Sequence, residues 1–144
     1  MVVDGECVSP TAAQEIYRSV PEGKSLNDKF LYGLLDRKGG IVGVLEGIRD
    51  YPNGATWWIG LLMLAPKVRG NGLGRKIIES FSEYVRSEQG ITIMLGVVEE
   101  NQAAYHFWEK LGFELVHQTE PRPFGKKIQT VYVMQLKLTG SGKQ

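Results

Sequence analysis

Apolar and polar positions change period several times along the chain, and each change predicts an element. Phe30 to Leu35 and Ile41 to Ile48 are apolar-rich runs joined by Arg37-Lys38-Gly39-Gly40, which reads as a hairpin turn. Tyr51-Pro52-Asn53-Gly54 is a second turn signal. Thr56 to Leu64, rich in aromatic and apolar residues, reads as a third strand. Leu73, Ile77, Phe81 and Val85 then recur every four residues, with Arg75, Glu79, Glu83 and Arg86 towards the other side. That stripe predicts an amphipathic helix packed on a sheet, and Gly90 ends it. Ile91 to Val98 reads as a buried strand, Glu100 or Asn101 opens another helix, and Gly112 caps its end. Phe113 to Gln118 and Thr130 to Leu138 read as the last strands, joined by a loop containing Pro121, Pro123 and Gly125. Upstream, Ser9-Pro10-Thr11 starts a short helix with an apolar stripe of Ala12, Ala13, Ile16 and Tyr17. Pro21-Glu22-Gly23 ends it, and Thr139 to Gln144 reads as a frayed tail.

Composition narrows the classes. The 144 residues are most simply a single domain, residues 1–144, and 42% hydrophobic content supports a packed core. A net charge of +1 gives no bulk electrostatic case for nucleic-acid binding. No apolar run approaches the roughly 18 residues of a membrane span. The N-terminus carries no basic flank and apolar signal core. The single cysteine, Cys7, excludes an internal disulfide, and no Cys/His cluster suggests zinc, so no metal is expected. The expected location is cytoplasmic.

The most informative stretch is Arg69-Gly70-Asn71-Gly72-Leu73-Gly74, between the third strand and the amphipathic helix. A helix start leaves about four N–H groups without intrahelical partners. Its dipole adds roughly half a positive charge. Glycines there let an anion approach the backbone, most often a phosphate. The Walker loop needs Gly-Lys followed by Ser or Thr, whereas Gly74 is followed by Arg75 and Lys76. Counted from Gly70, the dinucleotide fingerprint needs a glycine at the sixth position, where Arg75 stands. A plain structural turn would carry the same glycines.

The pattern Arg-x-x-Gly-x-Gly (Arg69, Gly72, Gly74) resembles the acetyl-CoA pyrophosphate loop of the GNAT superfamily of N-acetyltransferases. Asn101-Gln102-Ala103-Ala104 and the exit Lys110-Leu111-Gly112-Phe113 resemble that family's second motif. Leu62-x-Leu64-x-Pro66 resembles the end of its fourth strand. Together these cover roughly half the chain. The resemblance implies an α/β fold: a central, mixed, twisted sheet flanked by helices on both faces, splayed where acetyl-CoA inserts. Relative to that pattern the chain lacks the first strand. The N-terminus is therefore expected to be truncated, its open sheet edge covered by homodimer contacts or by Val2-Val3 folded back.

The resemblance also implies roles. Gly70, Asn71, Gly72, Leu73 and Gly74 would present the loop to the pyrophosphate, with Arg69 and Arg75 adding charge. Leu62 and Leu64 would offer backbone groups to the pantetheine arm, the Leu64 N–H also polarising the thioester oxygen. Asn101 would contact the pantetheine or hold a water, or simply cap its helix.

The implied activity is transfer of an acetyl group from acetyl-CoA to a primary amine of a small molecule or peptide. Transfer would be direct, in a ternary complex, without a covalent enzyme intermediate. A lysine-like amine has a pKa of about 10.4, so only about one in 2,500 is neutral at pH 7, a handicap of roughly 4.6 kcal/mol. A base is needed. Thr56 to Leu64 contains no carboxylate, which leaves Glu46, interrupting an apolar run, as first candidate, then Asp50 and Glu100. Many members of the family place a Tyr acid seven residues after the Asn. Trp108 stands there, so Tyr105, one turn earlier, is the candidate acid or cofactor contact; the alternative is that it packs and solvent supplies the proton. Tyr32, Tyr51 and one of Trp57 and Trp58 are candidates for an acceptor pocket, since neighbours on a strand face opposite sides. Two other readings fit the same residues: a CoA-binding regulatory module without catalysis, and an interaction domain with a structural glycine turn.

Overall fold

A computed structural model describes residues 21, 23–70, 72–124 and 127–138. The elements are β1 (Lys29–Leu35), β2 (Ile41–Ile48), β3 (Thr56–Leu64), helix α1 (Leu73–Ser87), β4 (Thr92–Val98), helix α2 (Gln102–Lys110), β5 (Glu114–Gln118), β6 (Arg122–Phe124), β7 (Lys127–Gln129) and β8 (Val131–Lys137). Six strands form one sheet in the order β1-β2-β3-β4-β8-β5, and β6 pairs with β7. Every neighbouring pair in the large sheet is antiparallel except β3 and β4. The parallel pair is the one whose connection contains α1, as a crossover requires.

The expected α/β fold with a mixed sheet is observed. The two described helices, however, both cover the same face. Gly74 of α1 touches the Phe107 ring of α2, and Ile78, Phe81, Val85, Ala104 and Trp108 share one core with Phe30, Leu45, Trp57, Ile93 and Leu95. The expected helix from Ser9, the question of a missing first strand, Cys7 and the tail from Thr139 lie outside the described residues. The stretch with Pro121 and Pro123 is not a plain loop: it forms the β6–β7 hairpin. A two-stranded ribbon has only edges, where a proline is tolerated.

Two features of β3 position the site. Glu46 pairs with Leu61 and Gly47 with Ile59, so Gly60 is an extra, bulged residue. The β3–β4 ladder ends at Ile59 opposite Leu95, so beyond it the two strands part. The Ala65 N–H bonds the Val42 carbonyl at 2.7 Å, on the β2 side. By alternation, the backbone groups of Leu64 and Leu62 face the opposite, open edge. Their side chains are buried in the core.

Candidate active site

The glycine loop sits at the mouth of this splay. Gly70 and Gly72 adopt left-handed φ values of 79° and 82°, which L side chains rarely take, and a Cβ at either would meet open space. Gly72 is the N-cap of α1 and gives it no side-chain cap. The first helical bond runs from the Lys76 N–H to the Gly72 carbonyl, so the N–H groups of Leu73, Gly74 and Arg75 lie in the unpaired first turn. Asn71 lies outside the described residues.

Three neighbours make contacts that the sequence does not suggest. Arg69 folds back and donates from Nε and Nη2 to the Leu64 carbonyl at 3.0 and 2.8 Å, closing the turn from strand to helix. That carbonyl is thereby engaged, which leaves the Leu64 N–H as its backbone group on the open edge. Arg75 donates to the Lys110 carbonyl at 3.0 Å, favourable for a cation at the end of α2. Gly74 is buried, and a methyl group there would sit 2.8 Å from the Phe107 ring, so its bareness serves helix–helix contact. Gly74→Ala gains helix propensity of about 1 kcal/mol but displaces Phe107, an overpacking worth about 1–3 kcal/mol. A net destabilisation is expected in urea melts.

Asn101 caps α2, its Oδ1 accepting the Ala104 N–H at 3.0 Å. The half of its side chain left for a ligand is the Nδ2 amide. Tyr105 is half-buried and packs edge-on against Tyr132 of β8, ring centroids 5.3 Å apart. Phe107, on the other flank of α2, is the ring that faces Gly74. Asn101 follows β4 at the end where β3 and β4 part, and Tyr105 lies over β8. Trp108 is fully buried against Phe107 and Phe113, with its indole Nε1 unpartnered.

Glu46 lies on the face opposite the helices. It is 4% exposed and ion-paired through Oε2 with Lys29, itself 7% exposed. Its other oxygen, Oε1, faces Gly60, where a Cβ would sit only 2.5 Å away. Sequence reasoning missed both partners. The available signals were a lysine opening the apolar run of β1, which needs a carboxylate if it turns inward, and a glycine inside a strand. Lys29, Glu46, Tyr51, Trp58 and Gly60 line a cavity of about 320 Å³. Gly60 is also the first residue past the last β3–β4 pair, so this cavity reaches the root of the splay from the far face.

The other candidates are placed elsewhere. Asp50 Oδ1 accepts the Ala55 N–H within its turn, and Glu100 forms an exposed ion pair with Lys127 at 2.8 Å. The two histidines of the chain, His106 and His117, are exposed. Trp57 is in the core and Trp58 lines the cavity, so the two tryptophans do face opposite sides. Tyr32 lies on the helix side, where burial and then its bond with Tyr84 push the phenol up to about 12. It lines a separate apolar hollow with Leu34, Leu45, Ile77 and Phe81. Among the described residues no group of three His, Cys, Asp or Glu could hold a metal ion, and no helix is long and apolar enough to cross a membrane.

Comparison with known proteins bears on the fold and the family. The profile of the Acetyltransferase (GNAT) family matches residues 6–113. An acetyltransferase of Photorhabdus laumondii subsp. laumondii is 29% identical over 107 residues, 74% of this chain and 72% of that one. A dodecameric spermidine N-acetyltransferase from Vibrio cholerae superposes with a TM-score of 0.69 at 22% identity, over 78% of this chain and 67% of that one. Nourseothricin acetyltransferase superposes with a TM-score of 0.66 at 19% identity, over 77% and 66%. Because the family profile covers β1 to β4, the glycine loop and the Asn101 helix together, three quarters of the chain, the chain belongs to the GNAT acetyltransferase family and is an acetyltransferase.

Proposed function

We propose that the protein transfers the acetyl group of acetyl-CoA to a primary amine, by direct attack in a ternary complex. The observation that carries this reading is a splay with two entrances. On the helix side, an uncapped helix N-terminus behind a glycine loop meets an open strand edge. On the far side, a buried carboxylate reaches the root of the same splay. Acetyl-CoA supplies an acyl carbon already activated as a thioester. The first-turn N–H groups of α1, from Gly72 to Arg75, hold the pyrophosphate together with Gly70 and Asn71. Arg69 fixes that turn through Leu64. The open-edge backbone of Leu62 and the Leu64 N–H align the acyl arm and polarise its carbonyl, and Asn101 donates from Nδ2.

Glu46 Oε1 accepts the proton that the attacking amine must lose, directly or through one water, while Lys29 fixes the carboxylate through Oε2. The amine nitrogen bonds to the acyl carbon as the carbon–sulfur bond breaks, and the second proton of the nitrogen passes to solvent. Solvent returns a proton to the sulfur, and the ring of Tyr105 serves to pack on Tyr132. Tyr105→Phe is accordingly expected to leave kcat within about threefold, where loss of a general acid would lower it about 100-fold or more. Steady-state assays at saturating substrates decide between the two. The amine acceptor takes support from the Vibrio cholerae neighbour, an enzyme that acts on spermidine.

The test of the cofactor site is calorimetric titration of acetyl-CoA into wild type, Gly72→Asn and Gly72→Asp. Both side chains tolerate the left-handed φ of Gly72 and have nearly the same shape. Only Asp places a negative charge at the helix N-terminus. Binding to the Asp variant at least about tenfold weaker than to the Asn variant, a difference of about 1.4 kcal/mol, is expected. Equal affinities would overturn the pyrophosphate assignment.

A further inference from the structure

Gly60 is a glycine that its own backbone does not require. Its φ lies outside the left-handed region, and a glycine inside a strand weakens it. It is the extra residue of the β3 bulge and the first residue past the last β3–β4 pair, so it stands at the root of the splay. Gly47, beside the same bulge, has a packing reason to be bare: a Cβ there would strike the Trp58 carbonyl and the Phe30 ring. For Gly60 the reason is different. Outside its own strand neighbours, the three described atoms nearest to a Cβ on Gly60 all belong to Glu46. Oε1 would lie 2.5 Å away and Cδ 3.5 Å away. Ordinary contact begins near 3.4 Å, so the oxygen would have to retreat by about 1 Å. The carboxylate is buried and held through Oε2 by Lys29, so a retreat would pull on that ion pair. A charge-assisted N–H···O bond spans about 2.7–2.9 Å. The place a Cβ would take is therefore close to the place of a nitrogen bonded to Oε1 on the side of the splay.

We infer that Gly60 is a positioning residue for acetyl transfer. Its bare α-carbon holds open the short path from Glu46 Oε1 to the acyl carbon, and it lets the carboxylate keep the position from which it takes the amine's proton. The inference rests on the amine-transfer reading above. It adds the residue that sets the distance between the proton acceptor and the acyl arm.

The experiment uses the full chain and whichever of propylamine, phenethylamine and spermidine wild type turns over best. It measures kcat across pH, and acetyl-CoA affinity by calorimetry, for wild type, Gly60→Ala, Glu46→Gln and the double variant. Gly60→Ala is expected to lower kcat about 100-fold, the cost of a misplacement of about 1 Å, and to leave acetyl-CoA affinity within about threefold. Rates are taken per acetyl-CoA site titrated, so a partly unfolded sample does not imitate the loss. Because Gly60 acts through Glu46, the loss should shrink as pH rises towards the amine's own pKa. Added to Glu46→Gln, the alanine should cost less than about threefold. A loss that is independent of pH, or equally large in the Glu46→Gln background, overturns the inference, since Gly60 then shapes the strand and not the carboxylate. A wild-type kcat in Gly60→Ala, or loss of its acetyl-CoA binding, overturns it as well. Each of these outcomes leaves acetyl transfer to amines standing. Acetyl-CoA binding by wild type without transfer to any amine overturns the amine-transfer reading and the inference with it.

Discussion

Glu46→Gln is expected to lower kcat by about 10²–10⁴-fold and to leave acetyl-CoA affinity within about threefold, because the carboxylate lies across the sheet from the glycine loop. The acceptor amine arrives protonated, and the amide that replaces the carboxylate cannot take its proton. The loss should shrink as pH rises towards the amine's own pKa, about 10.4 for an alkylamine, since the free base then needs no enzymic acceptor. A wild-type-to-variant ratio that stays constant over that range would remove Glu46 from the proton path.

Stability complicates this test and also sharpens it. Removing one member of a buried ion pair leaves the other uncompensated, at a cost of about 3–5 kcal/mol, whereas removing both is often near neutral. Glu46→Gln alone should therefore melt earlier. The double variant Lys29→Met with Glu46→Gln should recover most of the stability and none of the activity. A double-mutant cycle in both stability and kcat separates the two roles. Recovery of activity with recovery of fold would mean that the pair is structural only.

The fold was legible where periodicity and breakers agree. Leu73 to Val85 carries a four-residue stripe and follows glycines, and the structure places α1 there. The paired runs around Gly39-Gly40 give β1 and β2. Thr56 to Leu64 is β3 with the predicted bounds. What the sequence hides is pairing between distant residues. Nothing local tells that Arg75 reaches the Lys110 carbonyl, since that bond depends on how α1 and α2 pack. Glu46 stood out as a charge in an apolar run, but its partner Lys29 sits in another strand, two positions away from the residue opposite Glu46. The β6–β7 hairpin was obscured by its prolines, which forbid a central strand but not a free ribbon. The register slip that creates the Gly60 bulge needs both strands to be known.

Trp108→Ala is expected to destabilise the fold by about 3–5 kcal/mol, among the largest effects of any single core truncation here. The indole is fully buried, with Phe107 and Phe113 edge-on at centroid distances of 4.9 and 5.1 Å, so its removal leaves a cavity the two rings cannot close without losing their own contacts. Trp108→Phe should behave differently. The smaller ring forfeits roughly 1 kcal/mol of packing. It also removes a buried donor with no partner, a group whose burial costs about 1–3 kcal/mol. The two terms oppose each other, and Trp108→Phe should lie within about 1 kcal/mol of wild type in urea denaturation. A cost near that of the alanine variant would show that the indole N–H is bonded in solution. This pair of substitutions also settles how the enzyme uses the position. If Trp108 only fills the core beneath α2, Trp108→Phe keeps kcat unchanged while the alanine variant loses it in step with its folded fraction. If kcat falls in the stable phenylalanine variant, the N–H acts on the acyl arm, and the helix that carries Asn101 contributes a donor to the site as well as its cap.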